Sequence, residues 1–175
     1  MQQLPASKLA DFTQLLSTAT SKEVKSFATV LSQLNPQQLQ SFAQAFSRVS
    51  PDQMKNLLTF TSNLNGSALS GVSNGMAQLG AKVLQNFIQI LSQLKPETLE
   101  TFKNVLNSLS SEKAASNLVQ MMAHLPKQQM EALIQILGKM DAKQLESFGK
   151  LLQSLNSKQA QAFGQALSNL KPDQI

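Results

Sequence analysis

The chain has 175 residues, 42% of them hydrophobic and only 14% charged, which is enough apolar material for a domain with a real core and too much for a disordered chain. It contains no cysteine, tryptophan or tyrosine, so disulfides, thiolate metal sites and cysteine nucleophiles are excluded, and its net charge of +5 comes from lysines scattered along its length. No apolar run approaches the roughly 18 residues of a membrane span, and "MQQLPASKLADF" has no basic segment followed by an apolar leader, which suits a cytoplasmic or a leaderless secreted protein alike.

The dominant feature is a 15-residue repeat. With Leu4 as position 1, that position returns at Ala19, Leu34, Val49, Leu64, Leu79, Leu94 and Leu109, then after one step of 16 at Leu125, Met140, Leu155 and Leu170. Position 9 holds Phe12, Phe27, Phe42, Phe87, Phe102, Phe148 and Phe163. Positions 6, 12 and 13 are also apolar, and at about 100° per residue these sites make one helical stripe about 120° wide. Gln, Ser, Asn, Lys and Glu fill the opposite side. Each repeat is therefore an amphipathic helix over about positions 3 to 14, ~17 Å long at 1.5 Å per residue.

In chain order, a first helix is predicted over about 6–17, after the "MQQL" tail of a preceding repeat. Thr20, Asn35 and Ser50 are cap formers at position 2, followed three residues later by Glu23, Gln38 and Gln53, the capping-box spacing. They predict helices over about 21–32, 36–47 and 51–62, the last two opened by Pro36 and Pro51. The fifth repeat, behind Asn65, crowds Gly66, Gly71, Gly75 and Gly80 together. Gly71 and Gly75, one turn apart, suggest close approach of a neighbouring helix; the alternative is a hinge at 65–80 between 1–64 and 79–175. Pro96 opens the seventh repeat. The eighth carries the extra residue, which phase alignment places within 110–114, with Ser110 as the cap; it lengthens a connector or, alternatively, kinks the stack. Pro126, Asp141 and Asn156 open the last three complete repeats, and "LKPDQI" begins a twelfth. Neither end shows a polar capping repeat, so a segment of a longer array, or ends that pair with other chains, is expected.

Helices this short are marginal alone and must bury their stripes on neighbours. Connectors of about three residues favour antiparallel neighbours. The expected architecture is a single all-α domain over 1–175, an α-solenoid of eleven single-helix repeats stacked as antiparallel helical hairpins. A closed bundle is the alternative and would need different interior positions in different helices.

The phrase "LNPQQLQSFAQAF" from Leu34 to Phe46 is similar to the Leu-Pro-punctuated helices in the N-terminal domain of MgtE-type magnesium channels and in flagellar-motor switch proteins. Those repeats are less regular and richer in Glu and Arg. The resemblance implies a helical-repeat fold and an interaction role, and no ion site.

Chemistry is not legible. His124 is the only histidine and falls on the polar back of its repeat. The sequence shows no phosphate loop, no nucleophile elbow and no metal-ligand spacing, so neither an enzyme nor a cofactor is expected. Arg48 is the only arginine and no Tyr or Trp can stack on bases, which argues against nucleic acid. A Gln/Ser-rich polar face argues against a membrane surface. The expected function is a non-enzymatic scaffold for a protein or peptide partner. Its candidate face is Lys22, Lys25, Lys55, Lys82, Glu97, Glu100, Glu131, Lys143 and Glu146. The alternative is a structural protein that self-associates end to end into a filament or tubule.

Overall fold

The computed structural model describes residues 6–175; the side chains at 6–9, 11 and 12 are not described, so the expectations resting on Leu4, Pro5, Leu9 and Phe12 lie outside the described residues. The chain is all-α. Among the described residues, eleven helices follow one another: α1 (Ala6–Thr18), α2 (Ser21–Ser32), α3 (Pro36–Phe46), α4 (Pro51–Ser62), α5 (Gly66–Ala77), α6 (Ala81–Ser92), α7 (Pro96–Ser108), α8 (Glu112–Met122), α9 (Lys127–Lys139), α10 (Ala142–Ser154) and α11 (Ser157–Ser168). A 3₁₀ turn at Pro172–Gln174 opens the twelfth repeat.

Nearly every helix starts at the third position of its repeat, because position 2 stops the chain in extended geometry and caps the next helix. Thr20, Asn35, Ser50, Asn65, Asp141 and Asn156 each accept the backbone N–H three residues on. Both halves of the capping box form at Thr20/Glu23, Asn35/Gln38, Ser50/Gln53, Asp141/Gln144 and Asn156/Gln159. In the eighth repeat the cap is Ser111 and not Ser110. Ser110 instead lies in a connector between Leu109, which leaves α7 in extended geometry, and Ser111, so the extra residue lengthens the link.

The packing corrects the expected hairpins. The pairs in extensive contact join helices three apart, as in α2 with α5, α3 with α6, α4 with α7, α5 with α8, α7 with α10 and α8 with α11, or two apart, as in α2 with α4, α7 with α9 and α8 with α10. No consecutive pair of helices is in extensive contact. The reason lies in the connectors. A helix commonly ends in a left-handed residue, usually Gly, that lets the chain fold back over its last turn. No described residue has positive φ. The helices leave through right-handed caps such as Gln33, Gln78 and Gln93, then a position-1 leucine, then an extended cap residue, and the chain turns a corner. Helices three apart thus lie side by side as in successive coils, except α6 and α9, which are not in extensive contact.

The stacked helices α5 and α8 run in the same direction. A Cβ built at Gly71 would meet Ala115 Cβ at 2.5 Å and the Glu112 carbonyl at 2.6 Å, and one at Gly75 would meet the Ser116 carbonyl at 2.8 Å and Val119 Cβ at 2.9 Å, so advancing along α5 advances along α8. Gly164 on α11 likewise lies against the backbone of Met121 on α8. Glycines and the fully buried Ala115 and Ala160 thus line a column through α5, α8 and α11 that brings backbones together. Gly71 and Gly75 are close-approach positions. Gly66 and Gly80 stand at helix starts with nothing within 4 Å of an added Cβ. The α3–α6, α4–α6 and α4–α7 contacts all cross the boundary at which the alternative hinge would lie.

The repeat stripe is the core. Leu34, Val49, Leu64, Leu79, Leu94, Leu109 and Leu125 at position 1 are buried, as are Phe27, Phe42, Phe87 and Phe102 at position 9. Phe27, Phe42 and Phe46 form a three-ring cluster with centroids 4.5 to 5.5 Å apart, and Phe60 stacks on Phe102 at 5.6 Å.

Candidate interaction surfaces

Lys22, Lys25, Lys55, Lys82, Glu97, Glu100, Lys143 and Glu146 are exposed, and Glu131 is half-buried. They lie on α2, α4, α6, α7, α9 and α10. The described ion pairs all stay within one helix: Glu100 with Lys103, Glu131 with Lys127 at 3.9 Å, and Glu146 with Lys150 at 2.7 Å. The Lys150 hydrogen bond, then its charge, holds the exposed Glu146 carboxyl below its ordinary value. Among the described residues two carboxylates bond across helices: Glu23, which accepts the Thr20 backbone N–H at 2.8 Å, also accepts the Thr59 hydroxyl of α4 at 3.0 Å, and Glu112 on α8 accepts from the Asn74 amide on α5. The bonds to Glu23, the Thr20 backbone first, with Lys55 adding its charge, lower the Glu23 carboxyl. The remaining charged residues do not converge.

The sequence reading missed a set of carboxamide clamps. Gln38, 4% exposed, accepts the Asn35 backbone N–H through Oε1 at 2.9 Å and donates through Nε2 to the carbonyls of Ala77 at 2.9 Å and Leu79 at 2.8 Å. One side chain thereby satisfies the start of α3 and the end of α5. Asn117, 2% exposed, donates to Leu152 O at 2.7 Å and Leu155 O at 2.9 Å. Asn107 donates to Asn63 O at 3.0 Å, and Gln129 to Leu170 O at 3.1 Å. Neutral amides hold successive coils together at helix-end carbonyls, which are shielded from water at Gln38 and Asn117 and exposed at Asn107 and Gln129. The capping-box half of Gln38 was legible from its spacing; the clamp depends on which helices are neighbours.

His124 does not stand on an open polar back. It is half-buried, and desolvation pushes its imidazole below its ordinary value near 6.5 despite an opposing hydrogen bond with Gln161. It borders a cleft of ≈ 400 Å³ between α6, the α8–α9 connector and the end of α11. Asn86, Gln89, Gln93 and Ser168 give the cleft uncharged hydrogen-bonding groups, and Ile90 and Pro126 give it apolar ones. Gln89 Nε2 and His124 Nε2 are out of contact with solvent and have no hydrogen-bond partner. A second cleft, ≈ 690 Å³, opens beside the starts of α8 and α11, where Glu112 and Lys113 accompany Asn74, Gln78, Ser116 and Asn156.

Among the described residues no three His, Asp or Glu groups are placed to hold a metal ion, and no helix is long and apolar enough to cross a membrane. Comparison of the chain with protein-family models, curated proteins and solved structures finds no match. The resemblance to magnesium-channel and flagellar-switch helices therefore transfers no residue role, and the functional reading rests on the surfaces themselves.

Proposed function

We propose that the chain is a non-enzymatic interaction scaffold, a stack of near-identical helices that binds other polypeptides and performs no chemistry of its own. The observation that carries this reading is the uncharged, amide-lined cleft of ≈ 400 Å³ at Gln89 and His124. Its size falls within the roughly 300–1,000 Å³ typical of ligand clefts. A peptide backbone offers carbonyl acceptors and N–H donors without charge, which matches Asn86, Gln89, Gln93 and Ser168. Ile90 and Pro126 supply the apolar wall.

Selection of short peptides from a displayed random library on the whole chain tests the reading. Uncharged sequences should be enriched, their affinity should change little between low and high salt, and Gln89→Ala and His124→Ala should each weaken binding about tenfold, equivalent to ~1.4 kcal/mol. Enrichment of charged sequences whose binding collapses in salt, or affinity unchanged in both variants, would overturn it.

A further inference from the structure

The two clefts are joined by α11, which runs from one to the other. Its cap Asn156 and first residue Ser157 line the cleft of ≈ 690 Å³, and its last residue, Ser168, lines the cleft of ≈ 400 Å³. Ser157, Gln161 and Ser168 stand at i, i+4 and i+11, which at about 100° per residue places them within about 40° of one line along the helix. Gln161 is where the clefts meet. Its Nε2 donates to Gln120 Oε1 on α8 at 3.0 Å and reaches toward the Gln78 carbonyl at 3.5 Å. Gln78 lines the larger cleft, and His124, which hydrogen-bonds Gln161, lines the smaller one. One half-buried side chain therefore stands between the two. A separation of 3.5 Å is beyond the range of a good hydrogen bond, so that amide hydrogen is open to a better acceptor while Gln120 keeps its hold on the other.

We infer, resting on the scaffold role proposed for the chain, that the two clefts are one binding groove crossed at Gln161, and that its occupant is an extended stretch of another polypeptide. Ser157 and Ser168 are ~17 Å apart along α11 at 1.5 Å per residue. An extended chain covers that distance in about five residues at ~3.3 Å each, and one or two more seated in each cleft make about eight. An extended backbone offers every N–H and C=O, whereas a helical partner has already satisfied its own. Gln78 at one end, Gln161 at the crossing, and Gln89 and Gln93 at the other end meet it with carboxamides that both donate and accept. The larger cleft adds one charge of each sign, Lys113 and Glu112, and Glu112 already holds the Asn74 amide. Neither cleft is lined by a phenylalanine on which a nucleic-acid base could stack.

The test uses peptides of about twelve residues selected from a displayed random library on the whole chain, with affinity read by fluorescence anisotropy. The variants are Gln89→Ala in the smaller cleft and Gln78→Ala with Ser157→Ala in the larger. Gln78 is exposed and Gln89 and Ser157 are half-buried, so helix content by circular dichroism should match the parent. Each variant should weaken the long peptides about tenfold. The same peptides trimmed to about four residues, ~13 Å at 3.3 Å each, are too short to reach both clefts and should keep their dependence on one of them only. Where a variant is disturbed, backbone amide shifts of the parent take its place: a long peptide should move Gln78, Ser157, Gln93 and Ser168 together. Long peptides that depend on Gln89 and are indifferent to Gln78 and Ser157, or shifts confined to the smaller cleft, would overturn the single groove and leave the scaffold reading standing. Failure to select any peptide, indifference to both clefts, or dependence on the larger cleft alone would overturn both.

Discussion

Gly71→Ala is the sharpest probe of the α5–α8 joint. An added Cβ would lie 2.5 Å from Ala115 Cβ and 2.6 Å from the Glu112 carbonyl, and neither atom is the free end of a flexible side chain. The helices must separate by about 1 Å to restore ordinary van der Waals contact. That opening also lifts Val119 away from Gly75, so overpacking should reach the upper part of its usual range, about 3 kcal/mol. Replacing glycine by alanine within a helix offsets about 1 kcal/mol of this. The net loss is about 2 kcal/mol, which lowers the urea midpoint by about 1 M at an m-value near 2 kcal/mol/M. Gly66→Ala is the internal control. Nothing stands within 4 Å of its Cβ, so it should stabilise by about 0.4–1 kcal/mol through the unfolded chain. A hinge would respond in the opposite sense, with Gly71→Ala stiffening α5 and raising the midpoint. A Gly71→Ala midpoint at or above the parent's would refute the close-approach reasoning.

Three further outcomes rest on the same packing. Gln38→Ala and Asn117→Ala each strand helix-end carbonyls and should cost about 1–3 kcal/mol in urea unfolding, far more than Gln165→Ala on the exposed face of α11. His124 binds its proton less readily in the folded chain than in the unfolded one. Its contribution is therefore fully present above its ordinary value near 6.5, is lost as pH falls from there through the lowered folded value, and levels off below that; His124→Gln should remove this part of the pH slope. Thr101→Cys with Gly138→Cys should form an intramolecular disulfide in this cysteine-free chain, because the two Cβ positions on α7 and α9 lie 3.9 Å apart. Free thiols persisting under oxidation would contradict the α7–α9 contact.

The helices were legible because one signal recurs. A cap former at position 2 and a stripe at positions 6, 9, 12 and 13 place each start at position 3, as α2, α3, α4 and α10 show. The close approach at Gly71 and Gly75 was legible for the same reason, since two glycines one turn apart break the pattern without a cap to explain them. The neighbours were not legible, because a short connector says that the chain turns but not by how much. A clue was present nonetheless. The helix ends carry Gln33, Ser47, Asn63 and Gln93 where a reversing hairpin would favour glycine. Of the candidate surface, the charged residues could be read as exposed but not as dispersed. The cleft at Gln89 and His124 joins residues from α6, the α8–α9 connector and α11, which only the stacking brings together.

The central claim is that helices three apart lie side by side. Proton–proton nuclear Overhauser spectroscopy tests it directly. The account predicts cross-peaks between the Phe60 and Phe102 rings, 5.6 Å apart by centroid, and between Gly75 Hα and the Val119 methyls. Absence of both, with cross-peaks running along the length of consecutive pairs such as α4 and α5, would show hairpins in place of three-helix coils.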